Sequence, residues 1–289
     1  MRRRALLASL PALLAAPVLA AAPLAVVASF SILADMAAEV AGPLASVRSL
    51  VGRDQDVHVY QPRPADLLAI RSAGLVVMNG LDLEGWLTRL LPASGTKAPV
   101  VVAAEKVTPR HLGQGLDPHA WQNPQNGVLY VHAIAAALAR ALPAQADDIA
   151  ARATRYEQEL TALDAEIAAE VAKVPPGKRR ILTSHDAFFY YGTRYGIEFI
   201  GVQGLDTEFE PSAAAIAALI RQIREQHIRA VFVENMANPA LIDMVARESG
   251  VKPGPRVYSD ALSRRSGPAA TYAAMLRTNT QRFVAAMRG

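Results

Sequence analysis

Residues 144–173 read AQADDIAARATRYEQELTALDAEIAAEVAK, a run without glycine or proline that ends only at Pro175 and Pro176. Good helix formers, Ala, Glu and Arg, dominate it. Its apolar positions Ile149, Tyr156, Leu160, Leu163, Ile167 and Val171 recur at steps of three, four and seven, which puts them on one helical face. The stretch predicts one amphipathic helix of about 45 Å, at about 1.5 Å per residue. Its role follows from what lies on either side.

Upstream, LAVVASF, VRSLVG, GLVVMNG and PVVVAA are apolar runs of strand length, alternating with helical patterns such as SILADMAAEVAG and LEGWLTRLL. The rhythm returns downstream in RRILTSH, EFIGVQG, RAVFVEN and PRVYS, interleaved with PSAAAIAALIRQIREQH, NPALIDMVARESG and TYAAMLRTNTQRFVAAMR. Continuous apolar strands separated by helices indicate parallel sheets covered on both faces. The expected fold is therefore α/β, with two lobes, each a roughly four-stranded parallel sheet flanked by helices, joined by one long rigid helix. The boundaries fall at 23–143 for the N-terminal lobe, 144–174 for the linker helix and 175–289 for the C-terminal lobe.

The chain opens with MRRRALLASLPALLAAPVLAAA, in which Arg2, Arg3 and Arg4 precede an apolar run ending in small residues, the pattern of a cleaved secretory signal over 1–22. Pro11 and Pro17 interrupt the run, and it is short for a bilayer span. The formal net charge of +4 falls to +1 once those residues, with three arginines and no acid, are removed. Nucleic-acid binding thereby loses its electrostatic support. The absence of cysteine excludes a disulfide framework, a thiolate metal site and a lipid-modified cysteine at the cleavage point. We expect an exported, periplasmic protein that works as a monomer.

Six histidines allow each to be weighed. His58 follows the strand run VRSLVG, His119 sits on the turn LDPHAW, and His185 closes RRILTSH. All three stand at loop positions beside strand ends, where open α/β sheets gather ligands, and Asp260 in VYSDALS ends the last strand run. Three imidazoles and a carboxylate suit Zn²⁺ or Mn²⁺ and suffice to close a tetrahedral site. Two donors would come from each half, so the metal would lie between the lobes. His132 falls inside a helix, His227 at a helix end and His111 in a polar loop, and none of them joins this set.

The segments DVHVYQPRPADLLAI, LDPHAWQNP, TSHDAFFYYGTRYGI and VYSDALS, in this order, resemble the ligand segments of the zinc and manganese substrate-binding proteins of bacterial ABC importers. The likeness extends through GLDTEFEPSAAAIAALI and VFVENMANPALI to nearly all of the chain after residue 22. It implies metal ligation by His58, His119, His185 and Asp260 between two lobes on a long helix. It also implies delivery to a membrane permease driven by a cytoplasmic ATPase, neither of which this chain encodes. Where the family usually reads Leu-Asp-Pro after the second ligand, this chain has Gln122, Asn123 and Pro124.

Manganese-specific relatives tend to carry a carboxylate at the third ligand position, where this chain has His185, so Zn²⁺ is the expected cargo and Mn²⁺ the alternative. Zinc importers often hold a His-rich loop ahead of the second ligand; here EKVTPRHLGQGLDPH is short and its His111 reads as an exposed loop histidine, with a transient metal contact as the alternative, so zinc comes either from solution or from a periplasmic metallochaperone. A zinc hydrolase is the competing class, but neither H-E-x-x-H nor G-x-S-x-G is present. Asp186 reads as a helix-start residue, and Glu208 and Glu210 as an acidic loop that meets the permease or bridges the lobes. The expectation is a carrier rather than an enzyme.

Overall fold

The computed structural model describes residues 22–113, 115–205, 207–208, 211–226, 228 and 230–289. The signal segment, except residue 22, lies outside the described residues, as do His227 and Glu210. The first half runs β1 (Leu24–Phe30), α1 (Ser31–Ala41), β2 (Ala45–Val51), α2 (Pro64–Arg71), β3 (Leu75–Met78), α3 (Gly85–Ser94) and β4 (Val100–Val102). Its four strands form one parallel sheet in the order β2-β1-β3-β4, with Val26 opposite both Val47 and Leu75. A two-residue hairpin of β5 (His111–Leu112) and β6 (Gly115–Leu116) then leads to α4 (Pro124–Ala141).

The long helix is α5 (Ala146–Ala172), 27 residues, and it carries the chain from α4 to the second sheet. All six apolar positions of its predicted stripe are buried, together with Ala153 and Asp164. They face α4, α1 and α9 (Tyr272–Arg288), the last helix of the chain. Asp164 is a charge on an otherwise apolar stripe, and it is fully partnered. It accepts hydrogen bonds from Arg194 Nε at 2.9 Å, the Tyr195 hydroxyl at 2.8 Å and Gln125 Nε2 at 2.9 Å. One carboxylate thus pins the helix to both halves, and these donors outweigh the effect of burial and hold it below the usual carboxylate range.

The second half comprises β7 (Arg180–His185), α6 (Phe189–Tyr195), β8 (Glu198–Gln203), α7 (Ala213–Glu225), β9 (Ala230–Val231) and α8 (Pro239–Ser249) before α9. Among the described residues its parallel sheet has three strands, β8-β7-β9, and the fourth run, PRVYS, joins through a parallel bridge between Glu234 and Val257 rather than as a ladder strand. The physical reason is local: Pro253 and Pro255 have no N–H to donate to a ladder. Gly201 on β8 lies against the turn after β7, where an added Cβ would sit 2.4 Å from the Asp186 amide nitrogen. Only a residue without a side chain lets β8 approach the end of β7 so closely.

Burial is unequal between the halves. A small cluster around Leu182, Val202, Ile223, Val231 and Val245 fills the space between the second sheet, α7 and α8. The larger core is continuous from the first sheet through α4 and α5 to α9, where Tyr272, Met275, Leu276 and Phe283 complete it. The C-terminal helix therefore belongs by packing to both halves.

One ionisable contact on this seam has a measurable consequence. Asp35 on α1 accepts a hydrogen bond from the Tyr272 amide at the start of α9, 2.8 Å away. Burial raises its carboxyl to about 6 from an ordinary 3.8, although that hydrogen bond works in the opposite direction. Because the folded state binds this proton more tightly than the unfolded chain, its stabilising effect is complete below about pH 4 and is lost as pH rises through about 6. Asp35→Asn keeps an acceptor for the Tyr272 amide without the charge. Denaturant titration of metal-free protein should show the variant more stable at pH 7 by up to about 3 kcal/mol, with the difference vanishing near pH 4. An equal pH dependence in both proteins would show that Asp35 does not titrate in this window.

Candidate metal site

Each of the four sequence-derived residues is delivered by a different local device. His58 lies in the loop between β2 and α2, and its amide donates to Asp56 Oδ1 at 2.8 Å. His119 sits on a turn set by Pro118: the Ala120 amide donates to the Pro118 carbonyl at 2.9 Å, and Asn79 Nδ2 donates to the same carbonyl at 3.0 Å. His185 is the last residue of β7. Asp260 follows a segment held by Asn279 of α9, whose Oδ1 accepts from the Tyr258 amide and whose Nδ2 donates to the Tyr258 carbonyl.

The departure at Gln122 and Asn123 is accommodated by the same turn. Gln122 Nε2 and Trp121 Nε1 both donate to the Ser259 carbonyl, beside Asp260, at 2.8 and 2.9 Å. Asn123 caps α4 by accepting from the Gln125 amide, with Pro124 at the first helical position. Trp121 is wholly buried against the Phe30 and His119 rings, so it also fills space.

The four side chains converge. His119 Nε2 is 3.3 Å from His58 Nε2 and 3.2 Å from His185 Nε2. Asp260 Oδ2 lies 3.3 Å from His58 Nε2 and 3.1 Å from His185 Nε2, and Oδ1 lies 3.6 Å from His119 Nε2. Tetrahedral bonds of about 2.0–2.1 Å place neighbouring donors about 3.3 Å apart. These five separations, 3.1 to 3.6 Å, are close to such edges, and one donor atom from each residue lies within 4.8 Å of the other three. His119, His185 and Asp260 are fully enclosed, while His58 is half-buried.

Electrostatics point the same way. His119 Nδ1 is 2.8 Å from Asp117 Oδ1, and His185 Nδ1 is 2.6 Å from Glu234 Oε2, the latter in ion-pair contact without the alignment of a hydrogen bond. A carboxylate on the outer nitrogen holds the proton there, so that Nε2 offers its lone pair inward. Glu234 is itself fixed: its Oε1 accepts from the His185 amide at 3.0 Å and its Oε2 from the Ser259 hydroxyl. Asp117 is fixed by Arg110, which also pairs with Asp186 at 3.1 Å.

Both oxygens of Asp260, wholly buried, have no hydrogen-bond donor. Burial alone would raise this carboxyl, but the facing His185 and His119 rings hold it well below the usual range. Burial would likewise lower His185, yet Glu234 and Asp260 hold it well above the ordinary histidine range. A proton on His185 offsets the buried carboxylates in the metal-free protein; once all three imidazoles are neutral, their inward lone pairs and the bare carboxylate call for a cation among them.

The remaining sequence candidates lie elsewhere. His111 is exposed on β5, and His132 is exposed on α4, 3.4 Å from Glu157. Asp186 is not a helix-start residue, because α6 begins at Phe189; its carboxylate is taken by Arg110. Glu208 borders the mouth beside His58, Asp82 and Trp86. Sequence reasoning did not single out Asp117 or Glu234 as supports of the histidines. The signals were present: Asp117 stands two residues before His119, and Glu234 ends the run RAVFVE as His185 ends RRILTSH.

The chain was compared with known proteins. The family described as zinc-uptake complex component A, periplasmic, matches residues 26–286. The manganese-binding lipoprotein MntA of Halalkalibacterium halodurans is 34% identical over 256 residues, covering 88% of this chain and 85% of that protein. The iron-binding protein YfeA of Yersinia pestis is 31% identical over 249 residues, covering 84% and 80%. Among solved structures, the periplasmic zinc-binding protein TroA of Treponema pallidum superposes with a TM-score of 0.88 at 27% identity, covering 92% of this chain and 99% of that one. With the match running from the first strand of the first sheet almost to the end of α9, the chain belongs to the ZnuA family, the metal-binding substrate-binding proteins of ABC importers.

Proposed function

We propose that the protein binds Zn²⁺ in the periplasm through His58, His119, His185 and Asp260 and delivers it to an ABC permease driven by a cytoplasmic ATPase. The observation that carries this reading is that one donor atom from each of three imidazoles and a carboxylate lies within 4.8 Å of the others, with His119 and Asp260 3.1 to 3.6 Å from their neighbours and no hydrogen-bond donor on Asp260. Three neutral imidazoles and one oxygen form a donor set that suits zinc. The two supporting carboxylates, Asp117 and Glu234, make the imidazoles better donors. Asp260 lies within the ligand shell, and a site saturated by protein donors carries a metal rather than opening a position for reactive water. That one chain suffices to supply all four donors supports a monomer as the working unit.

Manganese is the second reading, and one observation favours it. The two Asp260 oxygens face different histidines, Oδ1 toward His119 and Oδ2 toward His58 and His185, so bidentate binding would supply a fifth donor of the hard type manganese prefers. The 34% identity to a manganese-binding lipoprotein also supports it. In either case a metallochaperone has room to act, since the loop around His111 is short.

Three outcomes test the site. Metal-free protein titrated with Zn²⁺ and Mn²⁺ against a chelating dye should take up one equivalent of zinc, bound far tighter than manganese; His119→Ala should lose that binding. Absence of saturable uptake by the natural chain would sink the four-donor site.

Since Glu234 and Asp260 hold the His185 proton above its usual range in the metal-free protein, metal must expel it at neutral pH. Apparent affinity should therefore rise with pH by about tenfold per unit near pH 7. Calorimetry in buffers of different ionisation enthalpy would count the protons, and a pH-independent affinity between pH 5 and 7 would contradict imidazole ligation. Exchanging nitrogen for oxygen by His185→Glu should move preference toward Mn²⁺, and an unchanged Zn²⁺/Mn²⁺ ratio would show that the third position does not set selectivity.

A further inference from the structure

His58 differs from its three partners in one respect: it is the donor that meets solvent. His119, His185 and Asp260 have side chains without any exposure, whereas the His58 side chain keeps 6%. Its neighbourhood forms a partition between two openings. His58 and Val59 border one opening with Asp82, Trp86 and Glu208, and Asp56 and Val59 border the other with Thr207, Met236 and Asn238.

The loop that carries His58 is held at two points of different character. At its base it is anchored strongly to the second half of the chain. Arg53 donates to the carbonyls of Ser263 and Ala270 at 2.8 Å, the Asp54 amide donates to Leu262 O at 3.0 Å, and Asp54 Oδ1 accepts from Asn235 Nδ2 at 2.7 Å. Asp54 is also one of three non-glycine residues with a positive φ among the described residues, at 54°, a turn conformation that marks a sharp change of direction. Further along the loop, the buried Val57 carbonyl accepts from Trp86 Nε1 at 3.1 Å, and on either side of it one carboxylate makes two ties. Asp56 Oδ1 accepts from the His58 amide, and Asp56 Oδ2 accepts from the Thr207 hydroxyl, 2.6 Å away across the opening.

The geometry points to Asp56 and Thr207 as a latch across the cleft that positions His58 and sets how long the metal stays. Asp56 is a positioning residue, since it reaches the cluster only through the His58 backbone. With the Thr207 bond made, the carboxylate cannot rotate and the His58 amide stays fixed. With it broken, the Asp56 carboxylate is free to rotate and the His58 amide loses its fixed acceptor, while Val57 stays buried beneath its bond from Trp86; His58, the least enclosed donor, withdraws first while three enclosed donors remain. Release then begins at His58, and its rate depends on a bond that touches neither the metal nor any ligand side chain.

The latch rests on the reading of the four residues as a metal site, and one experiment separates the two claims. Zinc-loaded protein is mixed with excess chelator and the release rate is followed by stopped flow. Thr207→Val keeps the shape of the side chain and removes the hydroxyl, and should release zinc about tenfold faster, the loss expected for one hydrogen bond to a charged group. Thr207→Ser restores the hydroxyl and should stay within about twofold of the natural chain. In a His58→Ala background, Thr207→Val should change release by less than about twofold, because the donor it holds is gone.

A natural chain that takes up no zinc overturns the site and the latch together. Zinc uptake with equal release from the natural chain and Thr207→Val overturns the latch alone. The same tenfold acceleration in the His58→Ala background also overturns it, since the hydroxyl would then act elsewhere than through His58.

Discussion

The rest of the structure depends on an arrangement of like groups that would not persist by themselves. Three imidazole nitrogens and a carboxylate face one another at hydrogen-bond distance in a space closed to water on three sides. A proton on His185 offsets part of the repulsion in the metal-free protein, but only a cation attracts all four members at once. The fold must therefore force the donors together, and each is forced by something rigid behind it: a strand end for His185, a proline turn for His119, an asparagine of α9 for Asp260. The energy for this comes from the apolar core at a distance from the site. Buried strands and the α5 stripe stabilise the scaffold by about 25 cal/mol per Å² of apolar surface removed from water.

Charge is managed by the same layering. Asp117 and Glu234 stand behind two of the imidazoles, and each is tied by further donors, Arg110 in one case and the Ser259 hydroxyl with the His185 amide in the other. The negative charges in and around the pocket outnumber the arginine that faces them, so a divalent cation is the species that restores balance. A monovalent ion would restore less, and a neutral ligand nothing. Preference for a dication is thus a property of the whole buried network, while preference among dications is left to the donors themselves and to whether Asp260 offers one oxygen or two.

Much of this was legible in the sequence, and the parts that were not share a cause. Helical and strand periodicities gave the α5 stripe, the first sheet and the strand-end positions of His58, His119, His185 and Asp260, because those patterns are local. Periodicity says which face is buried but not against what. The return of α9 to the first half, through Tyr272, Met275 and Phe283, left no trace in the pattern of α9 itself. PRVYS read as a strand by its apolar residues, but the prolines on its N-terminal side allow only the Glu234–Val257 bridge. Asp186 looked like a helix cap because of its place before an aromatic run, whereas a partner 76 residues earlier, Arg110, claims it. Support of an imidazole by a distant carboxylate is likewise a fact of three dimensions, and Glu234 became visible only when the second sheet brought β7 and β9 side by side.

The hold of Asn279 on the Asp260 segment has a consequence for the order of assembly. The segment bearing Asp260 is tied to α9 through Asn279 and to the turn after His119 through Trp121 and Gln122. These ties come from opposite halves of the chain, so the carboxylate reaches its place only when α9 has docked and the two halves have met. A first sheet folded by itself carries the imidazoles of His58 and His119 without the remaining walls of the cluster. Assembly of the cluster and completion of the tertiary structure are thus one cooperative event.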